Sequence, residues 1–203
     1  MNCIINFWLH FQRNNFIFLL LNEIPKDEIK INFDRLILIL HLYNKDLNII
    51  IKNKKTEAEL IITANGNPYL FKEVELLIHH APVVERWKII AFLQPETNLT
   101  KYQQGIDKPL NYYDITLRIS EMYFLPLENL EKPTDLGIKV FIKNYIIHKD
   151  NPRLRELVYI HIEHLIGEKA FANDIAFIEI GQLTNYNFIE LYQLSNFIHT
   201  RVK

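Results

Sequence analysis

The sequence predicts an α+β fold, a mixed and largely antiparallel sheet with helices packed on its faces. Apolar residues recur at three- and four-residue steps in several stretches, and short β-rich runs are bounded by turn residues. Hairpins mixed with helical crossovers along the chain indicate a mixed, largely antiparallel sheet with helices on its faces. The 203 residues are 49% hydrophobic and 23% charged, enough apolar material for a substantial core. One domain over 1–203 is expected, with a helical part at about 1–44 and a sheet-and-helix body at about 45–203.

Phe7, Trp8, Phe11, Phe16, Phe18 and Leu19 keep helical spacing, with Arg13, Asn14 and Asn15 as a polar interruption that leaves one helix or two open. Over 25–43 a second helix is marked by Ile29, Phe33, Leu36, Ile37, Leu40 and Tyr43. The turn Asn44-Lys45-Asp46 precedes two strands, 47–52 and 59–64, expected to pair as a hairpin. Asn65-Gly66 tolerates positive φ, Asn67 suits a helix N-cap and Pro68 the first helical position, so a helix from 68 to about 80 follows. Ala81-Pro82 stops it.

A strand at 87–93, without polar alternation, is expected to be buried on both faces. After the irregular stretch 94–114 comes an extended segment at 120–127. Ile138, Val140 and Ile142 alternate with Lys139 and Lys143, the pattern of a half-solvated strand. A helix over 152–166 ends at Gly167. A doubly buried strand at 175–180 and a terminal helix carrying Phe188, Leu191, Tyr192, Leu194 and Ile198 complete the chain.

Composition excludes several functional classes. A net charge of -1 provides no field to draw the chain onto nucleic acid or anionic lipid, so neither partner is expected. The single Cys3 rules out an internal disulfide and fits a reducing, cytoplasmic setting. The greasy N-terminal stretch is cut by His10 and by Gln12 to Asn15, and the run 36–40 is far too short to cross a bilayer, so no membrane segment is expected.

Phe7-Trp8 with Phe11 and Asn14, the run from Leu60 to Asn67, Val74-Glu75-Leu76-Leu77 leading to Ala81-Pro82 and Trp87-Lys88, and Ile166-Gly167-Glu168 after the late helix stand out together. In combination they resemble a bacterial family, domain of unknown function six-nine-five. The resemblance covers nearly the whole chain and is most specific in Thr-Ala-Asn-Gly-Asn combined with the Ala-Pro to Trp spacing. It implies a compact α+β bacterial domain, and it carries no catalytic residue or cofactor to this chain. Where that family has aromatic and amide residues in the late helix, this chain has His161 and His164, which counts against a family-wide histidine site.

His161 and His164, three apart on one helix, with Glu168 four beyond, come near metal-ligand geometry. The spacing matches neither His-Glu-x-x-His nor its inverted form, and His161 falls on the apolar face. A hydrogen-bonded core histidine is therefore the plainer reading, with a metal-dependent hydrolase as the alternative. His79 and His80 are expected to meet unpaired carbonyls at a helix end. Asn65-Gly66-Asn67 could cradle an anion, but no glycine-rich phosphate motif supports that. Ser120, Ser195 and Cys3 lack the context of nucleophiles. Glu128, Glu131 and Asp135 surround Pro133 as a solvated turn, and Lys52, Lys54 and Lys55 as a hairpin tip.

The stretch 94–114 is longer than ordinary connections and carries Tyr102, Gln103, Gln104, Tyr112 and Tyr113, amphipathic groups suited to a protein or small-ligand surface. The sequence thus points away from an enzyme and toward a cofactor-free binding or protein-interaction module.

Overall fold

The computed structural model describes residues 2–20, 23–53, 57–128, 136–184 and 188–201. They build an α+β protein whose strands fall into three sheets, of three, two and four strands. The backbone divides into two compact units, Met1–Leu93 and Gln94–Lys203, and each has its own apolar core. Helices before residue 44 share a core with the strands that follow, so the seam comes after Leu93 and not near residue 44.

The first unit begins with α1 (Asn2–Leu19) and α2 (Lys26–His41). Strands β1 (Asn48–Asn53) and β2 (Ala58–Thr63) pair antiparallel as the hairpin reading predicts, Ile50 opposite Ile61. A 3-10 turn at Pro68–Leu70 leads into α3 (Phe71–His79), which carries the chain over to β3 (Trp87–Ala91), parallel to β2. Asn67 caps the entry by accepting from Tyr69 N at 3.1 Å.

α1 is one helix through Arg13-Asn14-Asn15. Asn14 Nδ2 donates to His10 O at 2.8 Å, while Asn15 Oδ1 accepts the indole N–H of Trp87 at 3.1 Å. The polar interruption therefore satisfies a tryptophan from another element instead of ending the helix. Trp8 Nε1 donates to Leu77 O at 2.9 Å in the interior. Phe7, Trp8, Phe11 and Trp87 pack edge-to-face, with centroids 4.8 to 6.2 Å apart.

The expectation that 87–93 is buried on both faces is corrected. β3 stops at Ala91 and lies at the edge of its sheet, with Lys88 exposed. A run without polar alternation arises here because an edge strand can leave isoleucines half-covered.

In the second unit, the short helix α4 (Thr100–Gln103) precedes the hairpin β4 (Leu110–Tyr112) and β5 (Ile115–Leu117). β6 (Tyr123–Glu128), β7 (Leu136–Ile142), α5 (Tyr145–His148), α6 (Pro152–Ile166), α7 (Glu168–Asp174), β8 (Ile175–Gln182), β9 (Ile189–Glu190) and α8 (Leu194–Arg201) follow. The sheet order is β8-β7-β6-β9, with β7 parallel to β8 and β6 antiparallel to both β7 and β9.

β7 is not the half-solvated strand that its alternation predicts. It is paired on both sides, every residue except Lys139 is buried, and Lys139 Nζ lies 3.2 Å from Glu179 Oε2 on β8. Conversely β8, expected to be doubly buried, is an edge strand, and Phe177 is about half exposed. The Phe177 ring lies over Gly137, where any Cβ would collide with it, so the ring covers the bare glycine of the neighbouring strand. α6 follows the helix expected over 152–166 and closes at Gly167, at φ 82°, while its start is capped by Asn151, which accepts from Arg153 N at 3.1 Å.

No helix among the described residues is long and apolar enough to cross a membrane. Lys54, Lys55, Glu131, Pro133 and Asp135 lie outside the described residues.

Candidate functional site

The second unit concentrates the candidate residues, and the structure separates them into three groups. Tyr102, expected on a binding surface, is instead buried in the core against residues such as Ile115 and Met122. Its phenol is hydrogen-bonded to Lys101, and burial, the largest effect, raises its pKa. The helical turn at Thr100–Gln103 points residue 102 inward and leaves Gln103 and Gln104 exposed. Gln103 ends α4 and Gln104 caps it, while Tyr112 and Tyr113 belong to the hairpin that follows.

Tyr112 and Tyr113 stand at the tip of the β4–β5 hairpin, where Tyr112 faces Ile115 across a two-residue loop. Their rings meet edge-to-face at 5.0 Å. Tyr113 is 72% exposed and adopts φ 54°, a left-handed conformation in which Gly or Asn costs less than an aromatic residue. The first turn of α6 holds the tip in place. The Arg153 guanidinium stacks on the Tyr113 ring at 3.7 Å, and Tyr112 Oη donates to Glu156 Oε2 at 2.7 Å. That bond, together with the negative charge beside it, keeps the proton on the phenol and raises its pKa. Asn151 Nδ2 donates to Asp114 Oδ2 at 3.0 Å while its Oδ1 caps α6, so one side chain joins the helix to the hairpin.

Asn151 also lines a cleft of about 600 Å³ with Tyr145, Lys149, Asp150, Arg155 and the β8 residues Ile178 to Ile180. Charges of both signs meet there. Of the residues that organise this surface, the sequence reading missed Asp114, Asn151, Arg153 and Glu156. Nothing local ties the start of α6 to a hairpin tip 37 residues earlier.

His161, His164 and Glu168 do not assemble as a ligand triad; among the described residues no group of three or more His, Cys, Asp or Glu could hold a metal ion. Each has another setting. His161 is buried, its ring bonds the backbone of Leu117, and burial followed by the nearby His164 lowers its pKa to about 4. His164 Nε2 lies 3.5 Å from Glu96 Oε2, the carboxylate that also pairs with Lys101. Burial opposes ionisation of Glu96, yet Lys101, the Asn98 N–H and His164 together hold its pKa below the usual value. Glu96 N donates to His164 O and Leu165 O, both at 3.2 Å, so this segment also satisfies carbonyls of the last turn of α6. Glu168 is fully buried at the start of α7, and burial followed by the charge of Glu168 pushes Glu163 up to about 7.

The remaining motifs have structural settings. His80 Nδ1 lies 2.9 Å from Leu76 O at the end of α3. Asn65 and Gly66 take φ 53° and 73°, and Asn65 Nδ2 donates to Asp46 O at 3.0 Å, so the amide ties this turn to the one that precedes β1. The backbone N–H of Ser120 donates to Asp107 Oδ2 at 3.4 Å, and Ser195 O is 2.7 Å from His199 Nδ1 within α8.

Comparison with protein-family models, curated proteins and solved structures finds no match to this chain.

Proposed function

We propose that this chain is a non-enzymatic binding module of a bacterial cytoplasm, which presents the Tyr112–Tyr113 hairpin tip and the adjoining cleft to a protein or small-ligand partner. The observation that carries this reading is Tyr113 itself, an exposed aromatic ring held at positive φ and stacked on Arg153. A strained conformation at an exposed tip costs on the order of 1 kcal/mol, and such costs concentrate where a side chain must be displayed in one position. Tyr and Arg are enriched at interface hot spots, and a ring fixed before binding loses little entropy on association. The cleft supplies a concave neighbour with polar groups to orient a partner.

Two variants of the full chain test the reading. Tyr113→Gly relieves the left-handed strain and removes the ring, so thermal stability is expected to hold or rise while partner capture falls at least tenfold by quantitative pull-down. Tyr112→Ala together with Tyr113→Ala is expected to fold and to lose capture equally. Undiminished capture by both well-folded variants would reject the tyrosine tip as the binding surface.

A further inference from the structure

Asp107 and His161 are each 5% exposed, and both retain a buried polar atom without a hydrogen-bond partner among the described residues, Oδ1 of the carboxylate and Nε2 of the ring. Their other polar atoms converge on one short segment. Asp107 Oδ2 accepts from Ser120 N at 3.4 Å, and the imidazole bonds the backbone of Leu117. The carboxylate also acts electrostatically on the ring and on the buried phenol of Tyr102, so these groups occupy one neighbourhood. Yet Oδ1 and Nε2 do not bond each other, since neither has a partner.

We propose that Asp107 and His161 form a built internal site for one small hydrogen-bond donor of water or ammonium chemistry, bridging Asp107 Oδ1 and His161 Nε2. With Nδ1 donating to the Leu117 carbonyl, a neutral imidazole presents Nε2 as a lone pair. Burial keeps the ring neutral at physiological pH, as its low pKa reflects. Two buried acceptors then remain, and a molecule with at least two donor hydrogens satisfies both at once. A metal ion fits less well, because no third His, Cys, Asp or Glu ligand joins the pair among the described residues. This site is independent of the hairpin tip and does not rest on the binding-module reading.

A high-resolution crystal structure of the full chain, grown without ammonium salts, tests the proposal together with long-range proton–nitrogen NMR of the histidines. The expected result is a density peak at about 3 Å from both atoms and a His161 ring protonated on Nδ1 alone. A peak in ammonium-free crystals assigns water, and one found only after growth in ammonium salt assigns ammonium. A direct Asp107–His161 hydrogen bond, a protein donor on either atom, or a proton on Nε2 would overturn the site.

Discussion

Two ionisable side chains, one turn apart or less on α6, are shifted in opposite directions. His161 has its pKa lowered to about 4 in the folded chain, from 6.5, chiefly by burial. Below pH 6.5 the unfolded chain takes up a proton that the folded chain refuses, so stability falls as pH drops toward 4, by at most about 3 kcal/mol. Glu163 behaves in the reverse sense, because its pKa is raised from 4.5 to about 7. Its contribution is fully present below pH 4.5 and is lost as pH rises through 7. Denaturant titrations across pH 4 to 8 should therefore show that His161→Phe weakens the acid-side loss and Glu163→Gln weakens the loss toward pH 8. Parallel pH profiles for wild type and both variants would mean that neither group is shifted as described.

At the level of elements, the N-terminal part of α6 is tied to the β4–β5 hairpin. Asn151 caps the helix and reaches Asp114, Arg153 stacks on Tyr113, and Glu156 receives the Tyr112 hydroxyl. Removing an N-cap side chain typically costs about 1 kcal/mol, and the bond to an exposed Asp114 adds little because water competes for it. Asn151→Ala is therefore expected to lower stability by about 1 kcal/mol in chemical denaturation, and Asn151→Ser to restore most of that by capping alone. A Ser variant as unstable as the Ala variant would place the larger contribution in the link to the hairpin.

For the molecule as a whole, two separate apolar cores imply two cooperative units. Phe11 is fully buried among aromatic rings of the first core, and truncating such a side chain costs about 3 to 5 kcal/mol. Hydrogen exchange on the Phe11→Ala variant should accelerate amides of β1, β2 and β3 and leave those of β6, β7 and β8 near wild-type protection. Equal acceleration in both groups would show that the chain unfolds as a single unit.

Local pattern determined the α+β class, the α2 and α6 helices, the β1–β2 hairpin, the Asn67 helix start and the Gly167 stop, since capping and apolar period act between near neighbours. It could not tell an edge strand from a central one: the isoleucines of β3 and the alternation of β7 gave the opposite of the observed burial, because strand order is set by pairing between distant segments. The same limit applies to the candidate site. The tyrosines of 94–114 could be listed in sequence, but helical phase sent Tyr102 into the core, while Arg153 and Glu156, about 40 residues later, held Tyr112 and Tyr113 at the surface. Only the folded chain could bring Asp107 and His161 to the same backbone segment, since contacts across such separations follow from tertiary packing and leave no local signature.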